Sequence, residues 1–447
     1  MSGGSLMTPT LSNGDTAWVL ISTALVLLMV PGLAFFYGGL VRQKSALNTM
    51  LMSLGALAVV TVQWVLFGYS LAFSPGSSLL GGFDFLGFAG VTAAPNATYA
   101  GALPHLVFAA FQAMFAGITV ALFSGAVIDR MRFGAYLLFG VIWTTVIYDP
   151  LAHWVWGDGG WLRTLGALDF AGGTVVHISA GVTALVLAVM LGPRRDFKRV
   201  PTVPHSVPFA LLGAGLLWFG WFGFNAGSAL AADGIAANAL VTTHASASAA
   251  LVTWMLLDMW RNGHATAVGA ATGAVVGLVA ITPAAGFVTP LSAIAIGVLA
   301  APCSFFALQY RSKTRVDDTL DVFACHGVAG IAGAVLTGVF ASKAVNPIGA
   351  DGLLAGNAKL IGVQVLAVVA TIAFAAIGSA LIVVALRAFM SLRVTVDDEM
   401  MGIDIAEHGE EAYHGSDLSD LTGRRAQLGD AVIFDARELS AARTAAR

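Results

Sequence analysis

The chain has 447 residues, 57% of them hydrophobic and only 11% charged, with a mean hydropathy of +0.83. Soluble domains carry roughly 25% charged residues, so an ordinary water-soluble fold is excluded. A transmembrane β-barrel is disfavoured as well, because its strands alternate over about ten residues whereas this chain runs apolar from Val363 to Leu386. The formal net charge of −3 points to no charged partner, nucleic acid included.

Eleven apolar runs follow one another along the chain, at 16–40, 47–72, 104–127, 133–151, 173–192, 208–231, 238–260, 265–282, 286–309, 322–341 and 359–390. Crossing a bilayer takes about 20 apolar residues as a helix, so the fold class is an all-α polytopic membrane protein with eleven transmembrane helices. Met1 to Gly14 contains no Lys or Arg, the wrong composition for the basic start of a secretory signal, and the first run is read as a retained span. Cys303 and Cys325 both fall in apolar runs, which suits buried free thiols rather than a disulfide framework.

Orientation follows from the short loops, since Lys and Arg accumulate on the cytoplasmic side. One set of loops holds Arg42, Lys44, Arg130, Arg132, Arg194, Arg195, Lys198, Arg199, Arg261, Arg311, Lys313 and Arg315; the alternate set holds only Arg163, Lys343 and Lys359. The bias alternates in step with eleven spans. It places an extracytoplasmic N-terminal segment at 1–15, the transmembrane domain at 16–390 and a cytoplasmic tail at 391–447.

Two histidines stand deep in apolar runs, and each opens the same H-x-x-A-G string: His177 to Gly181 in the fifth span and His326 to Gly330 in the tenth. Imidazole is costly in hydrocarbon, so an intramembrane histidine is a candidate functional group. The recurrence implies two five-helix repeats, 16–192 and 208–341, with 359–390 as an extra helix. An odd number of spans per repeat inverts the second relative to the first, which brings the two histidines together near the midplane. One ring can then donate to the other, with about 2.7–3.2 Å between nitrogens. Two rival readings stand beside this: separate packing histidines, and a metal pair, for which Asp169 and Asp321 are the nearest further ligands in sequence. Asp169 itself suits an N-terminal cap or an anionic group beneath the outer mouth. Aromatic residues crowd that outer side, with Phe108, Phe111 and Phe115 on span 3, Trp154, Trp156 and Trp161 after span 4, and Trp218, Trp221, Phe222 and Phe224 in span 6. No P-loop, nucleophile elbow or paired-carboxylate signature is present, so no catalytic residue and no cofactor is assigned.

Five strings then resemble one family in order and at matching depth: Phe111 to Thr119, Ala152 to Gly157, Asp169 to His177, Trp221 to Ser228 and Asp321 to Gly327. Together they resemble the Amt/MEP/Rh ammonium transporters, on the Amt side. The resemblance implies eleven helices per subunit, a homotrimer, and a pore through each subunit for ammonium or ammonia and methylammonium. It implies a recruitment site of Trp156, Phe115 and Ser228 supported by Asp169. Below that it implies a gate of Phe115 and Phe224 with Phe111 nearby, and a pore with His177 and His326. The string Gly402 to Tyr413 is similar to the family's cytoplasmic signature, which implies a tail that packs under the trimer and answers to PII signalling proteins. Residues 416–447 match nothing in that pattern. A sensor on the same scaffold, and an intramembrane metal enzyme, are the competing functional classes.

Overall fold

In the computed structural model, residues 10–200 and 202–413 are described, and those up to Glu410 belong to one unit with the second unit starting at Glu411. Residues 416–447, which match nothing in the family pattern, lie outside the described residues. The eleven expected helices are present: α1 (Asn13–Leu40), α2 (Gln43–Phe73), α3 (His105–Ser124), α4 (Phe133–Leu165), α5 (Gly173–Leu191), α6 (Val207–Ala229), α7 (Gly234–Asn262), α8 (Ala267–Ile281), α9 (Pro290–Lys313), α10 (Phe323–Phe340) and α11 (Lys359–Arg387). Ten are long and apolar enough to cross a membrane, and α8 is a shorter apolar helix.

Where helix starts depart from hydropathy, capping chemistry decides. α7 begins four residues before the apolar run because the Asp233 carboxylate accepts from the amides of Ile235 and Ala236. α9 begins four residues late because Pro290 fixes the first turn and the Thr289 hydroxyl accepts from Ser292 N–H. Both are standard first-turn devices. α4 runs beyond the expected end at 151 and keeps Trp154 and Trp156 on its helix, breaking at 157–160 before a short restart at Trp161. These two tryptophans are therefore helical and not loop residues.

The repeat is inverted. Eight residues before each of His177 and His326 stands an aspartate that caps the coming helix. Asp169 accepts from the amides of Gly172, Gly173, Thr174 and Val175 and from the Thr174 hydroxyl; Asp318 accepts from Val322 and Phe323. Five residues before each histidine the backbone is left-handed, at Gly172 (φ +110°) and Asp321 (φ +57°). Asp318, not the Asp321 singled out from sequence, is thus the repeat partner of Asp169. The first cap belongs to the α4–α5 connection, the second to the Lys/Arg-rich side, called inner below, so the two related ends face opposite ways.

On the inner side three of the loop cations, Arg42, Arg130 and Arg194, meet in a largely buried ion-pair hub. Arg194 Nε and a backbone amide meet Asp317 at 2.8 Å, and Arg194 also reaches Asp129 at 3.1 Å. Arg42 pairs with Asp129 at 2.8 Å and Asp196 at 2.5 Å. Fully buried Arg130 donates to Thr319 and to the Asp317 carbonyl. Four inter-helix connections are locked together this way. The tail adds two caps from outside the helices they cap. Asp404 accepts from Leu47 and Asn48 at the start of α2, and Glu407 accepts from Phe133 at the start of α4. Neither helix has a side-chain cap of its own there. Lys44 in turn donates to the Glu399 and Met400 carbonyls.

Burial pushes the Asp317 carboxyl up, but Arg194 and Arg130 more than reverse this and hold it below the usual carboxylate range. A depressed value means the pair's contribution is present above the unfolded carboxyl's value near pH 4 and is lost as pH falls below it. Removing one partner of a buried pair costs about 3–5 kcal/mol. Asp317→Asn is therefore expected to lower the melting temperature of the detergent-solubilised protein at neutral pH. The gap from wild type should narrow as pH is taken below about 4.

Candidate functional site

The site is built where α5 and α10 cross. A Cβ added at Gly181 would lie 2.3 Å from Gly327 N, and one added at Gly330 would lie 3.1 Å from the Gly173 carbonyl and 3.2 Å from His177 Cβ. The two backbones touch, as small residues permit in membrane helices. Each histidine sits in a widened π-helical turn at its helix start, Gly173–Ile178 for His177 and Phe323–Val328 for His326. Such turns re-aim a side chain out of the regular helical row.

The crossing brings the rings together. His177 and His326 are buried, their centroids lie 5.4 Å apart with planes 18° from parallel, and Nδ1 faces Nδ1 at 3.3 Å. The separation is slightly beyond the expected 2.7–3.2 Å but retains hydrogen-bonding geometry. His177 Nε2 has no protein partner among the described residues. On its other side His177 stacks on Trp221 at 5.4 Å and 16°, and Trp221 is anchored by donating to Thr282 at 2.9 Å. The pair lines a narrow lumen of about 10 Å³ with Leu33, Ile118, Val176, Trp221 and Phe224, space for about one water molecule.

Above the histidines Phe224, also in a π-helical turn (Phe222–Ala226), lies against Phe115 with centroids 4.2 Å apart. Both rings are essentially inaccessible. Phe111 meets Phe115 edge-on at 4.9 Å, and Trp156 meets it edge-on at 6.2 Å. The Trp156 ring is fixed by donating Nε1–H to the Asp169 carbonyl at 2.9 Å. Ser228, one turn beyond Phe224, donates its hydroxyl to the Phe224 carbonyl at 2.8 Å. A second cavity, an inner vestibule of about 400 Å³, is lined by His326, Tyr37, Arg194, Lys198, Arg311 and Asp321, so His326 borders both cavities.

Asp169 is 8% exposed and its carboxylate is consumed by the cap on α5, so it supports Trp156 through its main-chain carbonyl. Asp321 is held by Arg311 at 2.6 Å. Neither candidate metal ligand turns to the histidines, and among the described residues no group of three or more His, Cys, Asp or Glu is placed to hold a metal.

Residues 17–413 match the Ammonium Transporter Family. The chain belongs to that family. An ammonium transporter of Bacillus subtilis is 48% identical over 404 residues, covering 90% of this chain and 99% of its own length. Among solved structures, Candida albicans Mep2 is similar with a TM-score of 0.83 at 38% identity, covering 90% of this chain and 91% of that one. A structure described as a sensor Amt protein gives a TM-score of 0.81 at 30% identity, covering 89% of this chain and 98% of that one. The protein is a multi-pass membrane member of a family of ammonium transporters.

The predicted site residues from α3, the end of α4, the connection before α5, and α5, α6 and α10 are linked by a chain of pairwise contacts. Sequence reasoning noted Trp221 only as one of a cluster, and missed that it backs His177. It also gave Gly181 no part, although the H-x-x-A-G recurrence carried that signal. Ala at position 181 must push α5 and α10 apart, an overpacking cost of about 1–3 kcal/mol. Gly181→Ala should lower both thermal stability and transport. Gly362→Ala, where a Cβ meets nothing within 4 Å, should leave both at wild-type values in the same assays.

Proposed function

We propose that the transporter recruits ammonium at Trp156, Phe115 and Ser228, passes it through the Phe115–Phe224 gate beside Phe111, and conducts ammonia along His177 and His326, with or without a relayed proton. The contact that carries this reading is the histidine pair in an otherwise apolar lumen, directly beneath the stacked phenylalanines.

Ammonium and potassium share size and charge, so a pore must use what differs: directional N–H donors and a removable proton. The Ser228 hydroxyl already spends its hydrogen on Phe224, which leaves its oxygen free to accept from ammonium. The ring faces of Trp156 and Phe115 attract a cation, more so when it is dehydrated. Asp169 keeps Trp156 in place. A dry lumen then penalises any ion, and desolvation lowers the pKa of an ammonium-type acid, so neutral ammonia is the favoured traveller.

The rings offer it a polar guide. When one Nδ1 donates to the other, the donor's Nε2 is a bare acceptor and the acceptor's Nε2 carries hydrogen. The pair thus presents one acceptor and one donor outward. If the donor's Nε2 takes up a proton, its Nδ1 proton passes to the partner's Nδ1 and the partner's Nε2 releases its own, so both tautomers exchange and one proton crosses the pair. The same reading extends to a homotrimer in the cell membrane, with the docked tail open to a PII signalling protein at the inner face. Its opposite is a sensor that binds ammonium without flux.

Transport is expected to show as saturable accumulation of radiolabelled methylammonium in proteoliposomes of the full chain, where a sensor would show binding without accumulation. In that assay Trp156→Leu should raise the half-saturating concentration by up to roughly thirtyfold, since a cation–π contact is worth about 0.5–2 kcal/mol. An unchanged concentration dependence would remove Trp156 from the recruitment site.

A further inference from the structure

Three π-helical turns carry His177, His326 and Phe224, but two others stand in spans away from those residues, and a buried acid joins their edges. In α2 the turn Trp64–Gly68 follows directly on Gln63, and in α4 the turn Thr144–Tyr148 is followed directly by Asp149. Such turns are frequent at functional sites. Asp149 is 0% exposed and Gln63 is 2% exposed. An ionisable group inside a membrane span is a candidate functional group by default.

The Gln63 amide donates from Nε2 to Asp149 Oδ2 at 2.7 Å and to the Thr145 hydroxyl oxygen at 3.2 Å. Thr145 gives its own hydrogen to the Val141 carbonyl, so it can only accept from Gln63, and this fixes which end of the amide is nitrogen. Asp149 Oδ1 and Gln63 Oε1 are both buried and have no donor among the described residues. No Lys, Arg or His forms an ion pair with Asp149 among the described residues. Its titratable neighbours on α4 are Tyr148, beside it, and His153, one turn on. His153 directs Nδ1 to the Ala72 carbonyl at 2.9 Å and Nε2 to the Ser77 carbonyl at 2.7 Å. A carboxylate with one hydrogen bond and no bonded counter-ion is among the most costly groups to bury.

We propose that Gln63 and Asp149 form a proton-binding site, in which a hydrogen on Asp149 Oδ1 is donated to Gln63 Oε1 and closes a neutral ring of two hydrogen bonds between α2 and α4. One hydrogen satisfies both bare oxygens and removes the uncompensated charge at once. Larger ligands fit less well. A water molecule would leave the charge in place, and a metal cation needs a shell of further oxygens. Neither cavity described above is lined by Gln63 or Asp149. The amide is packed against the α2 backbone, where a Cβ added at Gly68 would lie 2.6 Å from Gln63 Oε1. Asp149 stands seven residues before Trp156 on α4, so the ring ties the helix that carries this tryptophan to α2.

The test is infrared difference spectroscopy of the full chain in lipid at neutral pH, with the spectrum of Asp149→Asn subtracted from that of wild type. Expected is a protonated-carboxyl C=O band in wild type that is lost in Asp149→Asn. That variant should melt within a few degrees of wild type, because an Asn amide supplies the same acceptor to Gln63 Nε2 and a donor to Gln63 Oε1. Gln63→Leu should move the band to higher frequency, since the acid then loses its amide acceptor. No acid band in wild type, or a band that Asp149→Asn leaves in place, overturns the proposal. A band that Gln63→Leu leaves unshifted overturns it too, and this comparison decides alone should Asp149→Asn fail to fold.

Discussion

The backbone contact between α5 and α10 is the constraint on which the site depends. Gly181 lies against Gly327 so closely that no side chain fits between them, and the histidines at 177 and 326 meet because their helices do. Two imidazoles buried in hydrocarbon would each need a separate polar partner. Placed at 3.3 Å they partner each other through Nδ1 and leave their remaining nitrogens for the lumen. The π-helical turns, the two aspartate caps and the stacked Trp221 all serve to hold this pair at its crossing.

Charge is arranged around that dry centre with little ambiguity. The inner connections carry Arg and Lys, as insertion requires, but Asp129, Asp317 and Asp196 neutralise Arg194 and Arg42 in a hub beside the vestibule. On the opposite side the rings of Trp156, Phe115 and Phe224 lie together with no free carboxylate from Asp169, which is spent on its own helix. In the proposed function, such an entrance attracts an ion without trapping it. The tail joins this arrangement through Asp404 and Glu407, which cap α2 and α4 from a distant part of the sequence.

The helices, their number and the inverted repeat were legible because hydropathy and the H-x-x-A-G recurrence are local patterns. The meeting of His177 and His326 was legible because polar groups are rare in apolar runs. Helix starts at Gly234 and Pro290 were carried by Asp233 and Thr289–Pro290, signals that a hydropathy window averages away. The match of Asp169 with Asp318 was hidden by Asp321, a nearer acid that occupies the left-handed position equivalent to Gly172. Contacts such as Asp404 with Leu47, or Trp221 with His177, join residues far apart in the chain and leave no local mark. The recruitment and gate residues were named through family resemblance, and the geometry shows their proximity by contacts that composition could not specify.

The histidine pair is tested most directly by comparing wild type with His177→Ala in proteoliposomes, measuring methylammonium accumulation with excess potassium outside and potassium leak in parallel. The account predicts that wild type accumulates methylammonium without interference from potassium. The variant, folded to the same melting temperature within a few degrees, is predicted to lose that accumulation or to admit potassium. A folded His177→Ala protein that accumulates methylammonium at the wild-type rate and still excludes potassium would contradict the account.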